Sequence, residues 1–136
     1  NYSSLNEINN ILSRYNGDDW KEYKLYDKNA DYLKHVYNKC YIHQLYAIII
    51  ISWNKDRYIK IHNHADNGCS FKILEGSLKE TIYNKNVIKI RTNHLQKNDI
   101  SSIHNDIGYH SITTTNNKAY SLHVYSPYNY STNFLE

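Results

Sequence analysis

The sequence predicts a mainly β protein, a sandwich or small barrel, with helices packed against its outside. Three observations carry this expectation. From residue 41 onward, short β-prone runs are separated by Asn, Asp, Gly and Lys at the regular spacing of an all-β fold. Before that point the apolar residues repeat at helical spacing. The longest apolar run, Leu45 to Ile51, fits a buried strand and is far too short to cross a bilayer.

Residues 4–16 read as a helix. Ser4 and Glu7 make a capping box, and Leu5, Ile8, Ile11, Leu12 and Tyr15 share one face before Gly17. A second short helix is expected from Asp18 or Asp19. Asp27 can cap a third, with Leu33, Val36, Tyr37 and Cys40 as its apolar stripe, which makes Cys40 a packing residue. Strands are expected at 41–53, 58–64, 69–75, 77–84, 86–93, 99–104, 108–114 and 119–125, with turns at Gly76 and Gly108. The chain thus divides into a helical part over 1–40, a β-unit over 41–128 and a tail over 129–136, without repeats or a linker.

At 136 residues the chain has room for one core and reads as a single domain. An apolar share of 40% with 21% charged residues is that of a soluble globular protein, and the 15 tyrosines stand in for other large apolar residues. The formal charge of +3 comes from lysines dispersed among acidic residues. No basic block suits nucleic acid or a membrane surface, so neither is an expected partner, and a monomer is expected. The N-terminal Asn-Tyr-Ser-Ser-Leu lacks the pattern of a signal peptide, and cytoplasmic localisation is expected. In that compartment Cys40 and Cys69 would be free thiols.

The chemistry centres on His62 and His64. Strand side chains alternate between faces, so a histidine pair one residue apart points the same way and can share a metal ion, whereas a helix would splay it. The third ligand should come from a strand distant in sequence. His110, in Gly108-Tyr109-His110-Ser111-Ile112, opens such a run after a glycine turn.

These residues resemble a known pattern. Ile61-His62-Asn63-His64, then Cys69, then the Lys72 to Thr81 segment, then Ile107-Gly108-Tyr109-His110, and finally Ser121-Leu122-His123-Val124-Tyr125-Ser126-Pro127 are similar to the motifs of cysteine dioxygenase, within the cupin superfamily. Trp53, nine residues before His62, also sits where that family has a tryptophan. The resemblance covers about residues 41–128. It implies a small jelly-roll-like β-barrel and an iron-dependent thiol dioxygenase that converts L-cysteine and O2 to the sulfinic acid. Fe(II) would be held by His62, His64 and His110. Most cupins place a carboxylate a few residues after His-x-His, and Cys69 occupies that place here. An all-histidine set adds no charge, so an anionic thiolate, an amine and O2 can all bind. The resemblance further implies a thioether crosslink between Cys69 and the Tyr125 ring, a phenol at Tyr125 over the open metal positions, and a cis peptide bond before Pro127. Ser121, His123 and Tyr125 alternate on one strand face, so His123 can orient the phenol.

The resemblance fails at the carboxylate clamp. The family's clamp lies in a Tyr-x-Arg segment, where this chain reads Tyr41-Ile42-His43-Gln44. Tyr41, His43, Gln44 and Trp53 are the expected substrate-binding residues. Histidine cannot offer the charged fork of arginine, which puts the substrate in question. Related dioxygenases that favour 3-mercaptopropionate carry glutamine in this region, which draws attention to Gln44. Arg57 reads as a solvated loop residue in preference to a substitute clamp. Three other readings compete: a dioxygenase for a different small thiol, a metal-bound cupin that senses thiols without turnover, and a Zn(II) hydrolase or isomerase on the same histidines. The last lacks a base, since Asp66 and Asp106 suit turns.

Overall fold

The computed structural model describes residues 5–37, 46–63, 68–103, 108–125 and 134–135. Helix α1 (Leu5–Arg14) forms where its periodicity predicts, burying Ile8 and Leu12 and leaving Ile11 outward. A short 3-10 helix at Asp19–Tyr23 follows and seats Trp20 against Ile50, Leu74 and Tyr120. The third expected helix does not exist. Its place is taken by strand β1 (Tyr32–Val36), so the helical part ends at Tyr23 and not at residue 40. Apolar residues at 33, 36 and 37 fit a helical stripe, but β1 gains a full antiparallel ladder from Tyr32↔Trp53 to Val36↔Ile49. Pairing with a neighbouring strand overrides so short a local pattern.

The remaining strands follow the predicted grammar. They are β2 (Ala47–Trp53), β3 (Tyr58–His62), β4 (Cys69–Glu75), β5 (Ser77–Tyr83), β6 (Lys89–Gln96), β7 (Ile100–Ile103), β8 (Tyr109–Thr114) and β9 (Ala119–Tyr125). They pair into two antiparallel sheets, β1-β2-β9-β4-β7 and β3-β8-β5-β6, and not into a closed barrel. Cys40, Tyr41, His43, Gln44, His64, Asp66, Asp106 and Pro127 lie outside the described residues.

Side-chain alternation explains the core. Ile49, Ile51 and Trp53 from β2 meet Phe71 and Ile73 from β4, and opposite them lie Ile59, Leu78, Leu95 and Ile112 of the second sheet. Burying aliphatic side chains of this size contributes roughly 1.5–3 kcal/mol each. Gly108 adopts φ +142, and a Cβ there would meet Tyr83 O at 1.9 Å, so this backbone approach just before β8 requires glycine. Among the described residues no helix is long and apolar enough to cross a membrane.

The outer face of the first sheet receives α1, which packs on β4 and β7. Lys72 points out from β4 into that contact and is 2% exposed. Its Nζ donates to Leu12 O at 3.0 Å and Tyr15 O at 2.7 Å, carbonyls at the C-terminal end of the helix, where Leu12 O also accepts from Tyr15 N–H. The buried lysine therefore ties the helix to the sheet. Lys72→Met should lower unfolding free energy by about 1–3 kcal/mol, the range for stranding buried polar groups, as read by urea denaturation.

Candidate metal centre

His62 ends β3 and His110 begins β8, and the ladder between these strands sets them directly opposite one another. Irregular pairing between Ile59 and His62 brings the end of β3 into this register. The two Nε2 atoms lie 2.8 Å apart. Each ring is held from behind. His62 Nδ1 donates to Lys60 O at 2.7 Å, and His110 Nδ1 donates to Glu80 Oε2 at 2.7 Å. With both Nδ1 atoms committed as donors, both Nε2 lone pairs face the same point. Two lone pairs do not meet at that distance unless a cation lies between them: a proton in the metal-free protein, or a metal ion. Nitrogen ligands about 2.0–2.1 Å from a shared ion stand roughly 3 Å apart, so the spacing fits metal ligation. Burial, and then the neighbouring His110, bring the His62 pKa down to about 3, which keeps its imidazole neutral and available as a ligand.

His64, the third expected ligand, lies outside the described residues. Among the described residues no three His, Cys, Asp or Glu side chains gather as a metal cluster. Two of the three expected ligands are thus brought together here.

The opposite wall comes from β4 and β9. Their ladder pairs Cys69 with Tyr125 and Phe71 with His123. Phe71 stacks on His123 at 4.7 Å and 6°, fixing the ring plane. Trp53 Nε1 donates to Ser121 Oγ at 2.7 Å, so the serine hydroxyl is free to donate to His123 Nε2 at 2.6 Å. The hydrogen of His123 then sits on Nδ1, 3.4 Å from Tyr125 Oη and 3.8 Å from Cys69 Sγ. Burial, with Lys34 and the other two histidines adding to it, holds His123 well below the ordinary histidine range. It is neutral. A neutral Nδ1–H facing the phenol oxygen leaves the Tyr125 hydroxyl hydrogen for another partner, with Cys69 within its reach. Burial pushes the Cys69 thiol far up, so it stays protonated.

The pocket between these walls is lined by His62, Asn63, His110, Tyr125, Trp53 and Lys34, among others. Trp53, expected to bind substrate, is part of this lining and also anchors Ser121. Lys34 and Glu80 were not singled out by the sequence. Lys34 leaves β1 on the same side as Tyr32 and Val36, which pack on the core, and its Nζ stands 5.8 Å from the Tyr125 ring centroid. Lys34 stays exposed to solvent on β1, while the part of it that turns toward the pocket loses water, which lowers its pKa from the usual lysine value. Tyr32-Leu33-Lys34 has the Tyr-x-cation order of the clamp segment, a signal hidden by the helical reading of residues 27–40. Arg57 is engaged elsewhere, with Lys28 O at 2.8 Å and Asp31 at 3.3 Å. Glu80 is fully buried between Leu78 and Ile82 on the inward face of β5.

The family profile described as cysteine dioxygenase type I matches residues 3–134. The chain belongs to that family. Similar proteins include cysteine dioxygenase type 1 of Danio rerio, 27% identical, and of Rattus norvegicus, 29% identical, each match covering 91% of this chain. The chain spans 66% of the length of these relatives. Among solved structures, a conserved Klebsiella pneumoniae protein with a double-stranded β-helix domain superposes with TM-score 0.67 at 16% identity, covering 90% of this chain and 97% of its own. Bacillus subtilis oxalate decarboxylase, described with Mn(II) centres, gives TM-score 0.66 at 12% identity over 82% of this chain and 29% of its own. At these identities the structural likeness bears on the fold, which is that of a cupin.

Ser121 is the hinge of the second wall, since it accepts from Trp53 while donating to His123. In Ser121→Ala the indole N–H and His123 Nε2 both lose their partner in a buried site. The expected cost is about 1–3 kcal/mol in urea denaturation, accompanied by a shift in tryptophan fluorescence.

Proposed function

We propose that this chain is an iron-dependent thiol dioxygenase that converts a small carboxylate-bearing thiol, L-cysteine first, and O2 to the sulfinic acid. The overall change is RSH + O2 → RSO2H, with both oxygen atoms ending on sulfur. The observation that carries this reading is the facing pair of Nε2 lone pairs on His62 and His110, 2.8 Å apart at the wall of a pocket. His64 would complete the ligand set. An Fe(II) ion held there would supply the redox chemistry that joins O2 to sulfur. We place the activity in the cytoplasm and assign it to a monomer.

The chain's own residues would bind and orient. Lys34, at the pocket wall across from the histidines, is the cation suited to the substrate carboxylate, with Tyr41, His43 and Gln44 as further contributors from the segment that follows β1. Tyr125, its oxygen held by His123 Nδ1–H, would offer its hydroxyl hydrogen to the oxygen atoms being transferred. Trp53 and Ile59 would close the apolar side and limit water. Cys69 and Tyr125 would form the family's thioether bond, a reading supported by their direct pairing across β4 and β9. The crosslink would remove two hydrogens, one from the thiol and one from the ring, with O2 as the oxidant.

One observation favours a second substrate. A lysine ammonium binds a carboxylate as a point charge and lacks the bidentate fork of arginine. Such a contact reads the carboxylate and little of its surroundings, which brings 3-mercaptopropionate close to cysteine as a substrate.

Oxygen uptake by Fe(II)-loaded protein, with sulfinate checked by mass spectrometry, tests the proposal against cysteine, 3-mercaptopropionate and cysteamine. Turnover of the two carboxylate thiols is expected, and its loss in His62→Ala. Lys34→Met should raise KM for both carboxylate thiols about 10-fold or more, the worth of a hydrogen bond to a charged group, and leave any residual cysteamine oxidation unchanged. Bound iron with no uptake on any thiol would favour the sensor reading.

A further inference from the structure

We propose that Glu80 is a positioning residue of the metal centre, whose buried carboxylate fixes His110 through Nδ1 and passes negative charge to a bound ion through the imidazole. The proposal rests on the metal reading of His62 and His110. Glu80 is 0% exposed, and a carboxylate is costly to bury unless fully compensated. Its partners come from three different strands. Oε2 accepts from His110 Nδ1 on β8, while Oε1 accepts from Ser101 Oγ on β7 at 2.5 Å and Asn93 Nδ2 on β6 at 3.3 Å. All three partners are donors, the set a carboxylate acceptor matches, so the side chain is held in place from both oxygens.

Packing does not require this. Leu78 and Ile82, its neighbours on the same face of β5, show that the position could hold an aliphatic side chain. What the carboxylate adds is directional. It accepts the Nδ1 hydrogen, which leaves Nε2 bare and aimed at His62, and it makes that nitrogen a stronger donor to a cation. His62 Nδ1 is backed by the neutral carbonyl of Lys60, whereas His110 Nδ1 is backed by a carboxyl group. The position where most cupins carry a liganding carboxylate holds Cys69 in this chain. Glu80 restores an anionic charge one residue behind the ligands, where it takes up none of the open coordination positions.

The test is a chelator-competition titration of Zn(II) and Co(II) into metal-free wild type, Glu80→Gln and His62→Ala, alongside nitrogen-15 NMR of Zn(II)-loaded wild type. Glu80→Gln keeps the shape and an acceptor oxygen but removes the charge. It should unfold close to the wild-type temperature without metal, bind Zn(II) about 10–100-fold more weakly, and shift the Co(II) absorption bands. In wild type the His110 Nδ1 should carry a strongly deshielded proton while Nε2 is metallated. Unchanged affinity in a folded Glu80→Gln protein would overturn the proposal while leaving the metal reading intact. If His62→Ala binds metal as tightly as wild type, the metal reading itself fails. Should Glu80→Gln not fold, the wild-type spectrum decides alone: an Nδ1 without a proton overturns the proposal.

Discussion

The antiparallel ladder between β3 and β8 is the constraint on which the site depends. It sets His62 directly across from His110, and every other element can be understood by what it does to that pair. Strands β5 and β6, with β7 of the facing sheet, bring the carboxylate and its donors behind His110, while Gly108 allows the close approach of Tyr83 O just before β8. A slip of one residue in this ladder would send one histidine to the opposite face. The hydrophobic pattern of Ile59, Leu78 and Ile112, all buried between the sheets, makes such a slip costly.

The second sheet-level constraint is the pairing of β4 with β9, which builds the opposite wall. Phe71 lies across from His123 and Cys69 across from Tyr125, so one register places a stacked neutral histidine and a thiol next to the phenol. Polarity runs in one direction along this wall, from the Trp53 indole through Ser121 and His123 toward Tyr125. Each group takes its hydrogen-bonding role from the group before it. Such a chain passes hydrogen-bonding direction from one neutral group to the next.

Much of this was legible from the residues. Of the three histidines expected to share an ion, His62 and His110 stand opposite each other on paired strands, while His64 lies outside the described residues. Alternation likewise placed Ser121, His123 and Tyr125 on one face, and eight of the strands follow from turn residues between β-branched runs. What was not legible depends on partners far away in sequence. Leu33, Val36 and Tyr37 satisfy a helical period and a strand period about equally over so few residues, and only the ladder with β2 decides between them. That ambiguity hid Lys34, because a residue in the wrong element points nowhere useful. Nothing in the local sequence marks Glu80 and Lys72 as buried. Their burial follows from His110, thirty residues on, and from the carbonyls of α1, some sixty residues back.

The account's central claim is that a thiol meets a metal ion held by the histidine pair. X-ray absorption at the iron edge of Fe(II)-loaded protein, recorded anaerobically before and after adding cysteine, tests this most directly. The account predicts a shell of imidazole nitrogens that gains a sulfur scatterer with cysteine and loses nitrogen scattering in His110→Ala. A shell that is unchanged by cysteine, or indifferent to the loss of His110, would contradict it.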